Sequence, residues 1–224
     1  MLSALFYKEW IKTRRIILVT GIILAALIIY TFINNGQMFR VNGHVMVWQM
    51  IILKDMSVLS ELAKWFPLFA GVMLGLMQFT PEMTDKRLKL TLHLPLPETK
   101  ILFSMLLFGV IVLLATFILM YLILATGLFY YYSIEIIASM TWQFIPFILG
   151  GLAAYIFTAW ICFEPLWHQR IWNTLVSLAG VSLFFMDAKQ GAFSTLIPYL
   201  IVLMIVLFSI PFFSAARFKE GAQK

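Results

Sequence analysis

The chain has 224 residues, of which 62% are hydrophobic and 12% are charged. Soluble domains average roughly 45–50% apolar and about 25% charged residues, and a soluble domain of this size buries only about 70–75% of the surface of its unfolded chain. The composition therefore excludes a soluble domain, and the single cysteine, Cys162, excludes a disulfide-rich one. A mean hydropathy of +0.96 predicts an all-α polytopic membrane protein, in which the positions of the charges matter more than the net charge of +6.

Six apolar segments are long enough to be considered as membrane spans, each of which needs about 20 apolar residues, with a range of roughly 17–25. In chain order they cover residues 16–33, 60–80, 101–129, 140–163, 171–186 and 193–213. The fifth segment is short and would thin the bilayer or break locally. One further apolar run, Val45 to Leu53, is too short to span and is predicted to be interfacial or re-entrant. The six spans form one domain over residues 1–224.

The basic residues predict the orientation of these spans. Twelve of the 16 lysines and arginines lie before the first span, after the second and fourth spans, and in the C-terminal tail, whereas four lie on the other side. Connections on the cytoplasmic side carry the excess of lysine and arginine in membrane proteins. Both termini are therefore predicted to be cytoplasmic.

The N-terminal residues 1–15 predict an amphipathic helix that lies in the cytoplasmic interface of the membrane. At 100° per residue, two groups fall on nearly opposite faces, with Leu2, Phe6 and Trp10 on one and Lys8, Lys12 and Arg15 on the other. Such a helix places its rings in the bilayer and its basic side toward anionic headgroups. The alternative is an ordinary basic flank that happens to be helical.

The longest polar segment on the predicted cytoplasmic side covers residues 81–100. It begins with charged residues in helical register, and five leucines then alternate with other residues from Leu88 to Leu96. An alternation of period two is typical of a strand and not of a helix. The secondary structure of residues 88–97 therefore stays open. The leucines need a cover, which is the bilayer surface, the spans or another protein.

This segment carries a family resemblance. From Glu82 it reads E-M-T-D-K-R-L-K-L-T-L-H-L-P-L-P, with Pro95 thirteen positions after Glu82. It resembles the permease subunits of ABC-2-type transporters, in which a segment reading roughly E-x-x-x-G-T-x-x-x-L-L-x-x-P-V-S-R joins spans two and three. Six spans, cytoplasmic termini and an amphipathic N-terminal helix are also typical of that family. The chain departs from the pattern at Lys86 and Arg87, where the family has Gly and Thr, and at Pro97 and Glu98, where it often has Ser and Arg.

The resemblance implies a multi-pass subunit of the bacterial cytoplasmic (inner) membrane, in which residues 81–100 act as the coupling segment. Carried over, Glu82, Asp85 and Arg87 would contact a cytoplasmic ATP-binding subunit, and Pro95 would end the segment before span three. No G-x-x-x-x-G-K-[ST] sequence occurs in the chain, so ATP and Mg²⁺ are expected on that separate ATPase. The chain is then not an enzyme by itself. A second permease copy, identical or different, would complete the complex.

Other kinds of site find no support in the sequence. Ionisable residues are few inside the predicted spans, where proton and ion pathways need them, and the three histidines are scattered. No catalytic residues, metal ligands, cofactor of its own or nucleic-acid partner are therefore predicted. Small residues at Gly71, Gly75, Gly150 and Ala154 allow close helix packing, including between two copies.

The sequence thus predicts a transporter subunit among membrane lipids, with a lipid-like, amphipathic or peptide cargo. This expectation about the cargo follows from the apolar, charge-poor interior of the spans. Two alternatives stay open: ATP-driven mechanical coupling to a membrane or periplasmic partner, and a non-transporting membrane scaffold.

Overall fold

The computed structural model describes residues 2–54, 57–84, 97–186 and 195–219. Within these ranges all regular secondary structure is helical, which confirms the all-α prediction. The helices are α1 Leu2–Lys54, α2 Glu61–Thr84, α3 Glu98–Leu128, α4 Ile134–Phe163, α5 Trp167–Ser182, α6 Ile197–Leu207 and α7 Ile210–Lys219.

Five helical segments in the described part of the chain are long and apolar enough to cross a membrane. They are Ser3–Leu53, Glu61–Thr84, Glu98–Leu128, Ile134–Phe163 and Ile197–Arg217, the last of which joins α6 and α7 across a turn. Helix α5 has 16 residues, about 24 Å at 1.5 Å per residue, and is not among them. The count of six spans and the cytoplasmic position of both termini remain predictions.

Helix α1 is longer than the sequence predicted. Its 53 residues contain one residue with non-helical dihedral angles, Gly43, at φ 73° and ψ 161°, a conformation that costs glycine little. No break separates residues 2–15 from residues 16–33, and the polar stretch after Ile33 is helical too. The chain after the first predicted span, which was expected to leave the helix at Ile33, therefore continues it. The run Val45–Leu53, which was predicted to be interfacial or re-entrant, is helical and lies beyond the kink at Gly43.

Helix α2 continues past its predicted end. Pro67 and Pro81 both lie inside it, whereas Pro81 was expected to open the coupling segment. Because proline lacks an N–H, each interrupts one helical hydrogen bond, which packed membrane helices tolerate. Residues 81–84 and 98–100 of the predicted coupling segment are thus helical, since α2 ends at Thr84 and α3 begins at Glu98 after an extended Pro97.

Helices α2 and α4 run parallel and pack closely through glycines. A Cβ built on Gly71 would lie 2.1 Å from the carbonyl oxygen of Gly151, and a Cβ on Gly151 would lie 2.5 Å from the carbonyl oxygen of Pro67. A Cβ on Gly150 would meet the Phe185 ring at 2.4 Å. These small residues are therefore used for contacts within the chain. Helix α4 is the most buried of the candidate spans, since 72% of its 18-residue apolar stretch is buried inside the protein.

The bundle has two ends, which are named here by their residues. At the Glu82 end, the start of α1 meets the last turn of α2, and Phe79 packs on Phe163 with ring centroids 4.9 Å apart. At the opposite Tyr132 end, Tyr132 contacts Asn35 of α1. Helices α1 and α3 therefore run antiparallel to α2 and α4. Helix α5 starts near the Glu82 end and returns antiparallel to α4.

Candidate functional site at the Glu82 end

Two lysines and two glutamates meet where the first turns of α1 pass the end of α2. Lys12 Nζ lies 2.9 Å from Glu82 Oε1 and 2.8 Å from Glu9 Oε2. Lys8 Nζ lies 3.0 Å from the same Glu82 oxygen. Both glutamates are 1% exposed. We call these four residues the charged cluster.

Two buried side chains extend the charged cluster to the other central helices. Gln78 donates from Nε2 to Glu9 Oε2 at 3.0 Å and to the carbonyl oxygen of Met105 at 2.9 Å. Tyr155 donates its hydroxyl to Gln78 Oε1 at 2.8 Å. Hydrogen bonds thus connect α1 and α2 to α3 at Met105 and to the last third of α4 at Tyr155. We call this set of bonds the polar path.

The charged cluster contains two basic and two acidic side chains, and this balance lowers the free-energy cost of burying them. Moving a charge out of water costs several kcal/mol per ion, and only good geometry and further hydrogen bonds compensate it. Lys12 bridges both carboxylates, and Gln78 supplies an additional donor to Glu9. Within the described residues, Glu82 Oε2 is buried without a hydrogen-bond partner. The cluster therefore depends strongly on Lys12.

A glycine makes room for the end of this path. A Cβ built on Gly109 of α3 would lie 2.1 Å from the Tyr155 hydroxyl oxygen. Tyr155 is fully buried, so its ring has little freedom to move aside. The path thus requires a residue without a side chain on the facing helix.

The structure places the predicted coupling residues in two different situations. The carboxyl group of Glu82 faces the interior and pairs with the chain's own lysines, although it was expected to contact a partner subunit. Asp85, Arg87 and Pro95 lie outside the described residues. Glu82 therefore holds the end of α2 against α1, and the contact of residues 81–100 with an ATPase stays a prediction.

The N-terminal residues also differ from the predicted orientation. The Lys8 and Lys12 ammonium groups turn toward the bundle and pair with Glu82, whereas the basic face was expected to meet lipid headgroups. Trp10 and Arg15 are exposed. A signal in the sequence was Glu9, which lies three residues before Lys12 and is therefore close enough on the helix to pair with it.

A second buried carboxylate lies at the same end of the bundle. Glu164, directly after α4, is 0% exposed and accepts a hydrogen bond from Ser214 Oγ at 2.7 Å. Arg217 Nη2 lies 3.3 Å from the same Oε2 atom, and Arg170 Nε donates to the Glu164 carbonyl oxygen at 2.6 Å. Glu164 thus ties the C-terminal helix α7 to α4 and α5.

The opposite end is held by uncharged groups. Tyr132 donates its hydroxyl to Asn35 Oδ1 at 2.6 Å, and Thr31 and Ser60 share a hydrogen bond of 3.0 Å. Burial raises the pKa of Tyr132, which lies between α3 and α4, to about 12. A tyrosine hydroxyl is already neutral at physiological pH with its ordinary pKa of about 10, and the shift extends the pH range over which it donates this bond.

Comparison with protein-family models, curated proteins and solved structures found no match for the chain. Within the described residues, no three or more His, Cys, Asp or Glu side chains are grouped so that they could hold a metal ion. What the charged cluster offers is a stiff link, because it joins the end of α2 to α1 and, through Gln78 and Tyr155, to α3 and α4.

Proposed function

We propose that the chain is the transmembrane subunit of an ATP-driven transporter similar to the ABC-2 permeases. In this proposal it has six spans and cytoplasmic termini in the bacterial inner membrane. A separate ATPase binds ATP and Mg²⁺, and a second permease copy completes the complex. The cargo is lipid-like, amphipathic or peptide.

The observation that carries this proposal is the charged cluster. The segment that resembles the family's coupling segment covers residues 81–100, and Glu82 lies at its start. Glu82 is anchored to α1 by two ion pairs, at 3.0 Å from Lys8 and 2.9 Å from Lys12. A displacement of residues 85–96 by a partner would therefore move α2 and α1 together.

The path beyond Glu82 supports transmission across the bundle. Glu9, Gln78 and Tyr155 connect the charged cluster to α3 and α4 by hydrogen bonds of 3.0 Å or less. Switching between two membrane states requires packed elements that move as units. In our proposal Asp85 and Arg87 contact the ATPase, and Glu82 passes the motion on.

The test is purification of the tagged chain from its native membranes in a mild detergent, with partner identification and mass determination of the complex. The proposal expects a soluble ATPase in a 1:1 ratio and a mass that fits two copies of each subunit. A double charge reversal, Asp85→Lys with Arg87→Glu, leaves the net charge unchanged and is expected to release the ATPase.

The matched control is the reversal Glu61→Lys with Lys64→Glu at the start of α2, where these two residues form an ion pair of 2.6 Å. It also conserves net charge, and it is expected to retain the ATPase. A chain that purifies alone, or only with other membrane proteins, would contradict the transporter proposal and favour the scaffold. An ATPase that stays bound after the Asp85 and Arg87 reversal would remove those two residues from the interface.

A further inference from the structure

A cleft opens at the Tyr132 end, away from the charged cluster. It has a volume of about 360 Å³, within the range of roughly 300–1,000 Å³ that is usual for small-molecule sites. One wall is the helical piece of α1 beyond Gly43, and the other is the beginning of α4. Val58, in the connection between α1 and α2, lies between the walls.

The lining combines an apolar wall with a polar edge. Half of the apolar side chains come from the α1 piece, and the polar ones come from the start of α4 and the residue before it. The apolar residues are Trp48, Ile51, Ile52, Val58, Ile136 and Met140, and the polar ones are Ser133, Glu135, Ser139 and Gln143. Among the described lining residues, Glu135 is the one with a formally charged side chain. The cleft therefore favours a ligand with an apolar part and a positively charged part.

Glu135 and Trp48 are a suitable pair for an ammonium group. The Glu135 side chain lines the cleft, is exposed and hydrogen-bonds with Ser133, so its carboxylate keeps its contact with solvent. Trp48 is partly buried. Its indole is the side chain that attracts cations best through its ring face, and aromatic faces recognise quaternary ammonium groups.

The cleft is also placed to receive a ligand from the bilayer. Glu135 and Gln143 lie about 12 Å apart along α4 at 1.5 Å per residue, so the cleft extends from the helix start toward the middle of the bundle. Ile52, on its rim, is 62% exposed. An alkyl chain in the membrane could thus follow the apolar wall while its head stays near Glu135.

We propose that this cleft binds a cationic amphiphile, a molecule with an ammonium head at Glu135 and Trp48 and an alkyl chain along Ile51, Ile136 and Met140. Anionic headgroups are disfavoured because their charge would meet the Glu135 carboxylate. The proposal does not depend on the transporter function, since binding is measured on the isolated chain without an ATPase.

The experiment titrates the purified chain, in micelles of an uncharged maltoside detergent, with 2-bromododecyltrimethylammonium, whose bromine lies next to the ammonium head. Bromine quenches tryptophan fluorescence on contact, and the Trp48 signal is the difference between the unmodified chain and its Trp48→Phe variant. The uncharged probe 2-bromododecan-1-ol, which carries its bromine at the same position, is titrated in the same way. We expect saturable quenching of Trp48, with half-saturation at a mole fraction about fivefold lower for the ammonium probe.

Variants of Glu135 separate charge recognition from apolar partitioning. Glu135→Gln is expected to remove the preference for the ammonium probe, and Glu135→Asp is expected to keep most of it. Glu61→Gln removes the same charge from another exposed residue that does not line the cleft, and it should leave the preference unchanged. Quenching without saturation, equal half-saturation by both probes, or equal losses in Glu135→Gln and Glu61→Gln would each overturn the proposal.

Discussion

Replacing Gly71 by alanine tests the close approach of α2 and α4 most directly. The added Cβ would lie 2.1 Å from the carbonyl oxygen of Gly151, and because that atom belongs to the backbone, the two helices must separate by about 1 Å. Overpacking of this kind costs about 1–3 kcal/mol. Alanine also raises helix propensity by up to about 1 kcal/mol over glycine, which offsets part of the loss.

Gly21→Ala supplies the matched control, because a Cβ on Gly21 of α1 meets nothing within 4 Å. It changes propensity in the same way without overpacking. The free energies of unfolding of both variants are measured by titration with dodecyl sulfate in mixed micelles, followed by circular dichroism. We expect Gly71→Ala to be about 1–3 kcal/mol less stable than Gly21→Ala. Equal stability of the two variants would refute the close packing of α2 on α4.

Three further predictions use the same unfolding assay. Lys12→Met leaves the buried Glu82 carboxylate with less compensation and is expected to cost about 3–5 kcal/mol; adding Glu82→Leu should restore part of it, and no restoration would contradict the pairing. Gly109→Ala should displace the Tyr155 ring, whose hydroxyl oxygen and Cζ would lie 2.1 and 2.2 Å from the new Cβ, and cost about 1–3 kcal/mol. This loss should shrink in a Tyr155→Ala background, which removes the ring, and additive losses would contradict the contact. Asn35→Ala removes the acceptor of a buried hydroxyl, with an expected cost of about 1–3 kcal/mol, and an unchanged free energy would contradict that hydrogen bond.

Hydrophobic run length was a good guide to the central helices. The predicted spans 60–80, 101–129 and 140–163 correspond to α2, α3 and α4, whose ends lie within about six residues of the expected ones. A long apolar segment can be recognised in the sequence without knowing which residues it packs against. The class of the fold was therefore predictable from composition and periodicity.

The length of α1 was not predictable in the same way. Asn34, Asn35 and Gly36 are typical of a turn, yet the helix continues through them. Asn35 donates from Nδ2 to the carbonyl oxygen of Thr31 at 2.8 Å, and its side-chain oxygen accepts from Tyr132. A contact with a residue 97 positions away thus stabilises a polar residue inside the helix, and tertiary contacts of this kind leave no local pattern.

Glu82 shows the same limit at the candidate site. Its place after an apolar span and before a charged segment indicated an exposed contact residue, and its two partners lie about 70 residues earlier in the chain. Lys8 and Lys12 were recognised as a basic face, and Glu82 as an acid, but periodicity within one helix does not predict which distant side chain it meets. The sequence therefore singled out these residues and left their pairing undetermined.

The two polar ends of the bundle are spaced as a membrane would require. Glu9 and Thr31, buried at opposite ends, are 22 positions apart on α1, about 33 Å along a helix, and the hydrocarbon layer is about 30 Å thick. Between them α1 exposes apolar side chains such as Leu18 and Ile22. Buried polar contacts thus hold the bundle at both levels, whereas the glycine contact of α2 with α4 packs the layer between them. In the proposed transporter, motion that enters at Glu82 must cross this glycine-packed layer to reach the Tyr132 end, so Gly71→Ala should weaken coupling as well as stability.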